Sequence, residues 1–262
     1  MASPAVDAII AAELAEMLDT AGVTGPGDEA RYLATWEISR IRGPAVAIDV
    51  VRAFTTAAFA FASGARQIWL VDSIPEALSL VARNPTWLAM GEDRGIRPEG
   101  FALSNSPILA GHADLAGRTL VHRTSAGTRG AVAAARAGAQ PLLCASLVVA
   151  RATAAMLRAG PAPTYVITGR FADDPSNTGA EDEATARYLE AMRLGAPPGS
   201  PTQEQTVRAV LDSADASTTS QLGPANAHPD DLSACVDVDR FSFAMVVEPG
   251  EHGLALRTVT PA

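Results

Sequence analysis

Lysine is missing from this chain of 262 residues, and all 20 of its basic residues are arginine. No P-loop lysine, pyridoxal Schiff base or lysine general base can therefore be built. Cysteine is nearly missing too. Cys144 and Cys235 are the only two, too few for a disulfide framework or a structural zinc site. Cys144 stands in the apolar run Pro-Leu-Leu-Cys-Ala, the setting of a buried, inert thiol. No apolar stretch reaches the roughly 20 residues of a membrane span. The N-terminus lacks the basic-then-apolar pattern of a signal peptide. A formal net charge of −9 disfavours nucleic acid and anionic membrane as partners. The expectation is a soluble cytoplasmic protein, with room for a local basic pocket that binds a small anion.

Apolar residues make up 48% of the chain, ample for a core at this length. Such a composition also suits a homodimer, although no segment specifies an interface. Residues 5–19 read as a helix, with Val6, Ile9, Ile10, Leu14, Met17 and Leu18 at helical spacing. The break at Thr24-Gly-Pro-Gly-Asp ends it. Residues 1–43 are thus expected to be an N-terminal helical extension, and 44–262 the body.

From residue 44 short apolar runs alternate with Ala-rich helical stretches. The runs are 46–48, 67–71, 87–90, 119–122, 142–145 and 165–168. The helices are expected near 55–64, 75–83, 129–138, 147–159 and 181–194. This alternation predicts a layered α/β/α fold with a parallel or mixed sheet. Residues 195–202 (Gly-Ala-Pro-Pro-Gly-Ser-Pro-Thr) read as a linker and mark a place where the body could subdivide. A helix at about 204–213, a Ser/Thr-rich loop at 213–220, a short helix from His228 and a last strand at 241–247 complete the reading.

In sheets of this kind ligands bind off the carboxyl ends of the strands, so the residues after each apolar run matter most. They are Asp49, Arg52, Thr55 and Thr56; then Glu92, Asp93 and Arg94; then Thr124, Ser125, Gly127, Thr128 and Arg129; then Ser146; then Glu181 and Asp182. Taken singly, each cluster has an ordinary structural role. Asp49 is a good helix cap, 92–94 a solvated turn, 124–128 a capped turn, Glu181-Asp182 favourable charge at a helix start, and Asn105-Ser106-Pro107 a turn. Their recurrence at successive strand ends points to one anion site. Arginine and hydroxyls would bind oxygen, and Gly127 would let backbone approach a phosphate.

These segments resemble, in order, the motifs of the 2-phosphosulfolactate phosphatase family. The matching pieces are Ile-Asp-Val-Val-Arg-Ala-Phe-Thr-Thr (48–56), Gly-Glu-Asp-Arg-Gly (91–95), Gly-Phe-Ala-Leu-Ser-Asn-Ser-Pro (100–107), Arg-Thr-Ser-Ala-Gly-Thr-Arg (123–129), Cys-Ala-Ser-Leu-Val-Val-Ala (144–150), Glu-Asp (181–182) and the Asp-rich stretch 230–240. The resemblance implies a Mg²⁺-dependent acid phosphatase acting on a small anionic phosphorylated substrate. It implies Asp49, Glu92, Glu181 and Asp182 as metal ligands, since Mg²⁺ prefers a few hard carboxylates. It implies Asp49, Arg52, Glu92 and Arg129 as catalytic residues. Thr55, Thr56, Arg94, Asn105, Ser106, Thr124, Ser125, Gly127, Thr128 and Ser146 would bind substrate. The chain departs from the family at Ala102, where the family has Asp, and at Ala126, where it has Asn. Those departures leave open a different small phospho-acid, or a non-catalytic anion-binding role on the same scaffold.

Overall fold

A computed structural model describes residues 29–172, 177–197 and 199–261. The helix read at 5–19 lies outside the described residues. The strands are β1 (Arg31–Ala34), β2 (Ala45–Ile48), β3 (Gln67–Leu70), β4 (Leu88–Gly91), β5 (Leu103–Ser104), β6 (Thr119–Arg123), β7 (Leu142–Ala145), β8 (Thr164–Ile167), β9 (Ala244–Gly250) and β10 (Gly253–Val259). The helices are α1 (Ala53–Ala62), α2 (Ile74–Arg83), α3 (Pro107–His112), α4 (Gly127–Arg136), α5 (Ala150–Leu157), α6 (Ala180–Arg193), α7 (Gln203–Leu211), α8 (Ala214–Ser220) and α9 (Asp231–Cys235).

The strands form one mixed sheet in the order β1-β8-β2-β7-β9-β10-β3-β6-β4-β5. One group, β1-β8-β2-β7, is parallel throughout, and so is the other, β3-β6-β4-β5. The antiparallel hairpin β9–β10 stitches them together, with β9 antiparallel to β7 and β10 antiparallel to β3. The two parallel groups therefore run in opposite directions across the hairpin. Twist accumulates by roughly 20° per strand pair, which lets the carboxyl ends of both groups converge on one cleft.

β2, β3, β7 and β8 are buried along their whole length, as expected of sheet interiors covered on both faces. Nearly all of α1 is buried as well, so it is apolar on every side. The large core includes Ile48, Phe54, Leu143, Tyr165 and Val246. A smaller core gathers Trp69, Leu80, Phe101 and Val121 on the side of α2.

Several segments differ from the reading of the sequence. Arg31–Ala34, inside the supposed helical extension, is a strand paired with β8. The strand expected at 241–247 begins at Ala244 and is followed by another, β10. The turn at 105–107 opens helix α3, whose N-cap Ser106 accepts from the Leu109 amide. The Ser/Thr-rich segment at 213–220 is helix α8, capped by Ser213. Hydroxyl residues compete with the helix ladder, but here the cap and the buried Ala216 and Thr219 hold the helix in place.

Candidate active site

A cleft of about 780 Å³ opens where the two parallel groups converge. Asp49, Arg52, Glu92, Arg94, Asn105, Ser125, Arg129 and Asp182 all line it. These residues follow β2, β4, β5, β6 and β8, so the strand-end rule located the cleft from both halves of the sheet.

The floor is acidic. Asp49 follows β2 and accepts a hydrogen bond at Oδ1 from the Ala53 amide, 2.8 Å away. A Cβ on Gly127 would lie 2.6 Å from Asp49 Oδ2 and 2.7 Å from the Ala53 methyl. The missing side chain of Gly127 thus makes room for Asp49, which lies between the starts of α1 and α4. Asp182, in the first turn of α6, receives the Val50 amide at 3.0 Å and the Gly169 amide at 2.8 Å. Burial, opposed by the Ala53 amide and reinforced by the charges of Asp215 and Glu92, pushes the Asp49 carboxyl up to about 7. Burial beside Glu181 and Asp49 raises Asp182 well above the carboxylate range, and burial raises Glu181 also.

Glu92 plays a bridging part. Its Oε1 takes the Ser125 amide at 2.5 Å, and its Oε2 takes the Gly95 amide at 2.6 Å and the Ser125 hydroxyl at 3.1 Å. These bonds tie the turn after β4 to the loop after β6. Thr124 and Thr128 close that loop, each hydroxyl accepting from the other's amide, at 2.7 and 3.0 Å.

The rim is basic. Arg94 and Arg129 are exposed on the cleft wall. Among the described residues neither makes an ion pair, which leaves two guanidinium groups for an anion. Arg52 is buried and anchored through Nη1 to the Asn226 carbonyl at 2.9 Å and Asp231 Oδ2 at 3.2 Å. Asp231 is fully buried and also accepts from Ser106 Oγ at 2.7 Å and from the Ile108 and His228 amides.

The remaining expected residues stand behind the walls. Thr55 donates its hydroxyl to the Val50 carbonyl at 2.8 Å. Ser106 serves Asp231 and α3. Thr124, Gly127 and Thr128 shape the loop. Thr56 and Ser146 are buried with no partner for their hydroxyls among the described residues, and Glu181 is buried beside Asp182. The cleft also has residues that the sequence did not single out. Asp215, Thr218 and Thr219 come from α8, with Leu222 just beyond it, and Phe171 and Asn177 come from the segment after β8. The only sequence signal for α8 was Ser213 followed by an acid, a helix-start pattern.

The fold and the cleft together define an α/β protein with an acid-floored, arginine-rimmed cleft at its strand ends. A family model described as 2-phosphosulpholactate phosphatase matches residues 33–249. The chain belongs to that family. Relatives named "Probable 2-phosphosulfolactate phosphatase" include one from Bacillus subtilis (strain 168), 33% identical over 57% of this chain and 64% of its own length. Another, from Thermus thermophilus, is 40% identical over 42% of this chain and 46% of its own. The chain spans less than two thirds of the length of these curated relatives.

Proposed function

We propose that this chain hydrolyses the phosphate monoester of a small hydroxy acid, 2-phosphosulfolactate or a close relative, with Mg²⁺ as cofactor. The observation that carries the reading is the meeting in one cleft of Asp49 and Asp182 with Arg94 and Arg129, neither of which forms an ion pair among the described residues. An acid floor alone would repel a phosphate. A basic rim alone would bind one without turning it over.

The floor suits a hard divalent cation. Buried charges are paired or coordinate metals, and among the described residues Asp49, Glu181 and Asp182 make no ion pair with an arginine. The strongest charges acting on them are those of other carboxylates. Among the described residues no group of three or more His, Cys, Asp or Glu is placed to hold a metal ion. Mg²⁺ does not need one, because it keeps several waters and takes few carboxylates. When bound, Mg²⁺ would neutralise charge on the phosphoryl oxygens. Asp182 and Glu181 would hold it.

The chain's own groups supply the rest. Arg129 and Arg94 bind the phosphate and the substrate's second acid as charge-assisted donors. The Ser125 hydroxyl lies on the same wall. Asp49, held rigidly by the Ala53 amide, takes a proton from the attacking water and returns it to the departing alcohol. The new P–O bond forms to water as the ester bond breaks.

A second reading is a different phospho-acid substrate, and one observation favours it. Ala126 lines the cleft, at the position where the family pattern has an amide. Ala102, the other departure, is exposed outside the cleft and gives its carbonyl to Arg97. The change at 126 is thus the one placed to alter specificity. Phosphate release from 2-phosphosulfolactate, 2-phospholactate and a generic phosphomonoester, each with Mg²⁺ and with EDTA, tests the proposal. Metal-dependent release of phosphate from a phospho-acid supports it, and the preferred ester decides between the two readings. No release from any ester by folded protein rejects both.

A further inference from the structure

The turn after β4 carries its arginine on an unfavourable backbone. Asp93 and Ile96 exchange both amide-to-carbonyl bonds, at 2.8 and 3.0 Å, so Arg94 and Gly95 are the two central residues of a tight turn. Both have positive φ, +50° and +82°, the pattern of a type I′ turn. Glycine adopts that backbone freely, and asparagine is a favoured residue at the first central place. Arginine there strains the chain. A ring of hydrogen bonds holds the strain in place. The Arg94 amide donates to Ser125 Oγ at 2.9 Å, and Ser125 Oγ donates in turn to Glu92 Oε2 at 3.1 Å. Glu92 Oε2 also takes the Gly95 amide, and its Oε1 takes the Ser125 amide. Glu92 is buried, and both its oxygens are engaged in fixing the turn to the loop after β6. Arg123 Nη1 adds bonds to the Glu92 carbonyl and to Asp93 Oδ1, each at 2.8 Å. The Arg94 side chain has no such task. It is exposed on the cleft wall, with no ion pair or hydrogen bond among the described residues.

We propose that this turn is the specificity element of the cleft: Arg94 binds the acid of the substrate that is not transferred, and Glu92 is the positioning residue that holds Arg94 there. This rests on the phosphatase reading for the reaction itself, and it selects substrates that carry a second anionic group beside the phosphate ester. The two cleft arginines without ion pairs have different settings. Arg129 is the third residue of α4, whose first residue packs against Asp49. The positive end of that helix and the acid floor together place Arg129 with the phosphate. Arg94 stands on a separate element, tied to the loop after β6 through its backbone and through Glu92. A guanidinium fixed at a set offset from the phosphate site measures the spacing of two acids, and its planar fork matches a carboxylate. A loose turn would let Arg94 follow any anion. Strained backbone persists only where its surroundings over-determine it, and here three donors on one buried carboxylate do so. Glu92, expected from the sequence as a metal ligand, serves the turn in this reading.

The test compares 2-phospholactate with its carboxyl methyl ester, which keeps the phosphate and removes the second charge. kcat/KM for each is measured in Mg²⁺ with the full chain. Arg94→Asn creates Asn-Gly, a favoured pair for a type I′ turn. It is expected to reduce the preference for the acid over its methyl ester about tenfold or more, the loss of one charge-assisted contact. It should also raise the melting temperature, because the strain goes with the arginine. Glu92→Gln turns one acceptor oxygen into a donor and should reduce the same preference. Added to Arg94→Asn it should reduce that preference no further, since it acts through Arg94. An unchanged preference in Arg94→Asn, an equal loss on both compounds or a lower melting temperature overturns the proposal. A further loss of preference in the double variant overturns the part given to Glu92. Where wild type releases no phosphate, the same preference is read as calorimetric affinities in Mg²⁺. Release by wild type with an unchanged preference in Arg94→Asn rejects the turn and keeps the phosphatase. No release, with tighter binding of the acid that Arg94→Asn loses, does the reverse. Neither release nor binding rejects both.

Discussion

Arg52 Nη1 lies 3.2 Å from Asp231 Oδ2, and both side chains are almost wholly buried. This pair joins the start of α1 to the late helix α9, across most of the sequence. Breaking one side of a buried ion pair leaves an uncompensated charge, which costs about 3–5 kcal/mol. Asp231 also satisfies Ser106 and two amides. Asp231→Ala should therefore lower the free energy of unfolding by that amount in a denaturant titration. A loss under about 1 kcal/mol would mean that Arg52 finds another partner.

Arg129 is exposed on the cleft wall without an ion pair among the described residues. Its removal costs the fold little, since no described residue forms an ion pair with it. Arg129→Ala should leave the melting temperature unchanged and raise KM for a phospho-acid about tenfold or more, the loss of one charge-assisted contact. An unchanged KM in steady-state kinetics would place the anion elsewhere.

The acid floor sets a pH dependence with a definite sign. Asp49 keeps its proton up to about 7 in the folded chain, against an ordinary value of 3.8. Between about pH 4 and about 7 the folded state binds the extra proton, so stability falls as pH rises through that window. Asp182 and Glu181 are raised as well and act in the same direction. Melting temperatures in EDTA should decline across this range, and Asp49→Asn should flatten part of the decline. An identical slope in the variant would show that Asp49 titrates normally.

His122 works in the opposite sense. It is fully buried in β6, neither ring nitrogen has a partner among the described residues, and burial lowers it to about 3. Its contribution to stability is lost as pH falls from about 6.5 towards 3. Two unsatisfied buried nitrogens cost about 1–3 kcal/mol. His122→Leu, which fits the apolar face shared with Met90 and Leu120, should be neutral or stabilising and should reduce the acid-side loss. Destabilisation by more than about 2 kcal/mol in urea would contradict this.

The six strands read from apolar runs lie where they were expected because buried strands write themselves as short continuous apolar stretches. β10 did not. Its short apolar run Leu254-Ala255-Leu256 is followed at once by half-buried Arg257 and Thr258, and only long-range pairing with β3 makes it the seam of the sheet. The cleft was legible as well, since polar clusters recurred at strand ends. Which hydroxyl faces the cleft was not. Ser125 does, while Thr55, Thr56 and Ser146 turn into the body, a choice made by packing rather than by spacing. Asp215 was hidden because a Ser/Thr-rich stretch reads as loop, and its helix is held by a cap and by contact with α7 and α9.

The most direct measurement is phosphate release from 2-phosphosulfolactate in saturating Mg²⁺ by wild type and Asp49→Asn side by side. The account predicts steady release by wild type and a fall of about 10²-fold or more in the variant, the scale of a lost general base. Equal rates in the two proteins, or no release by folded wild type, would contradict it.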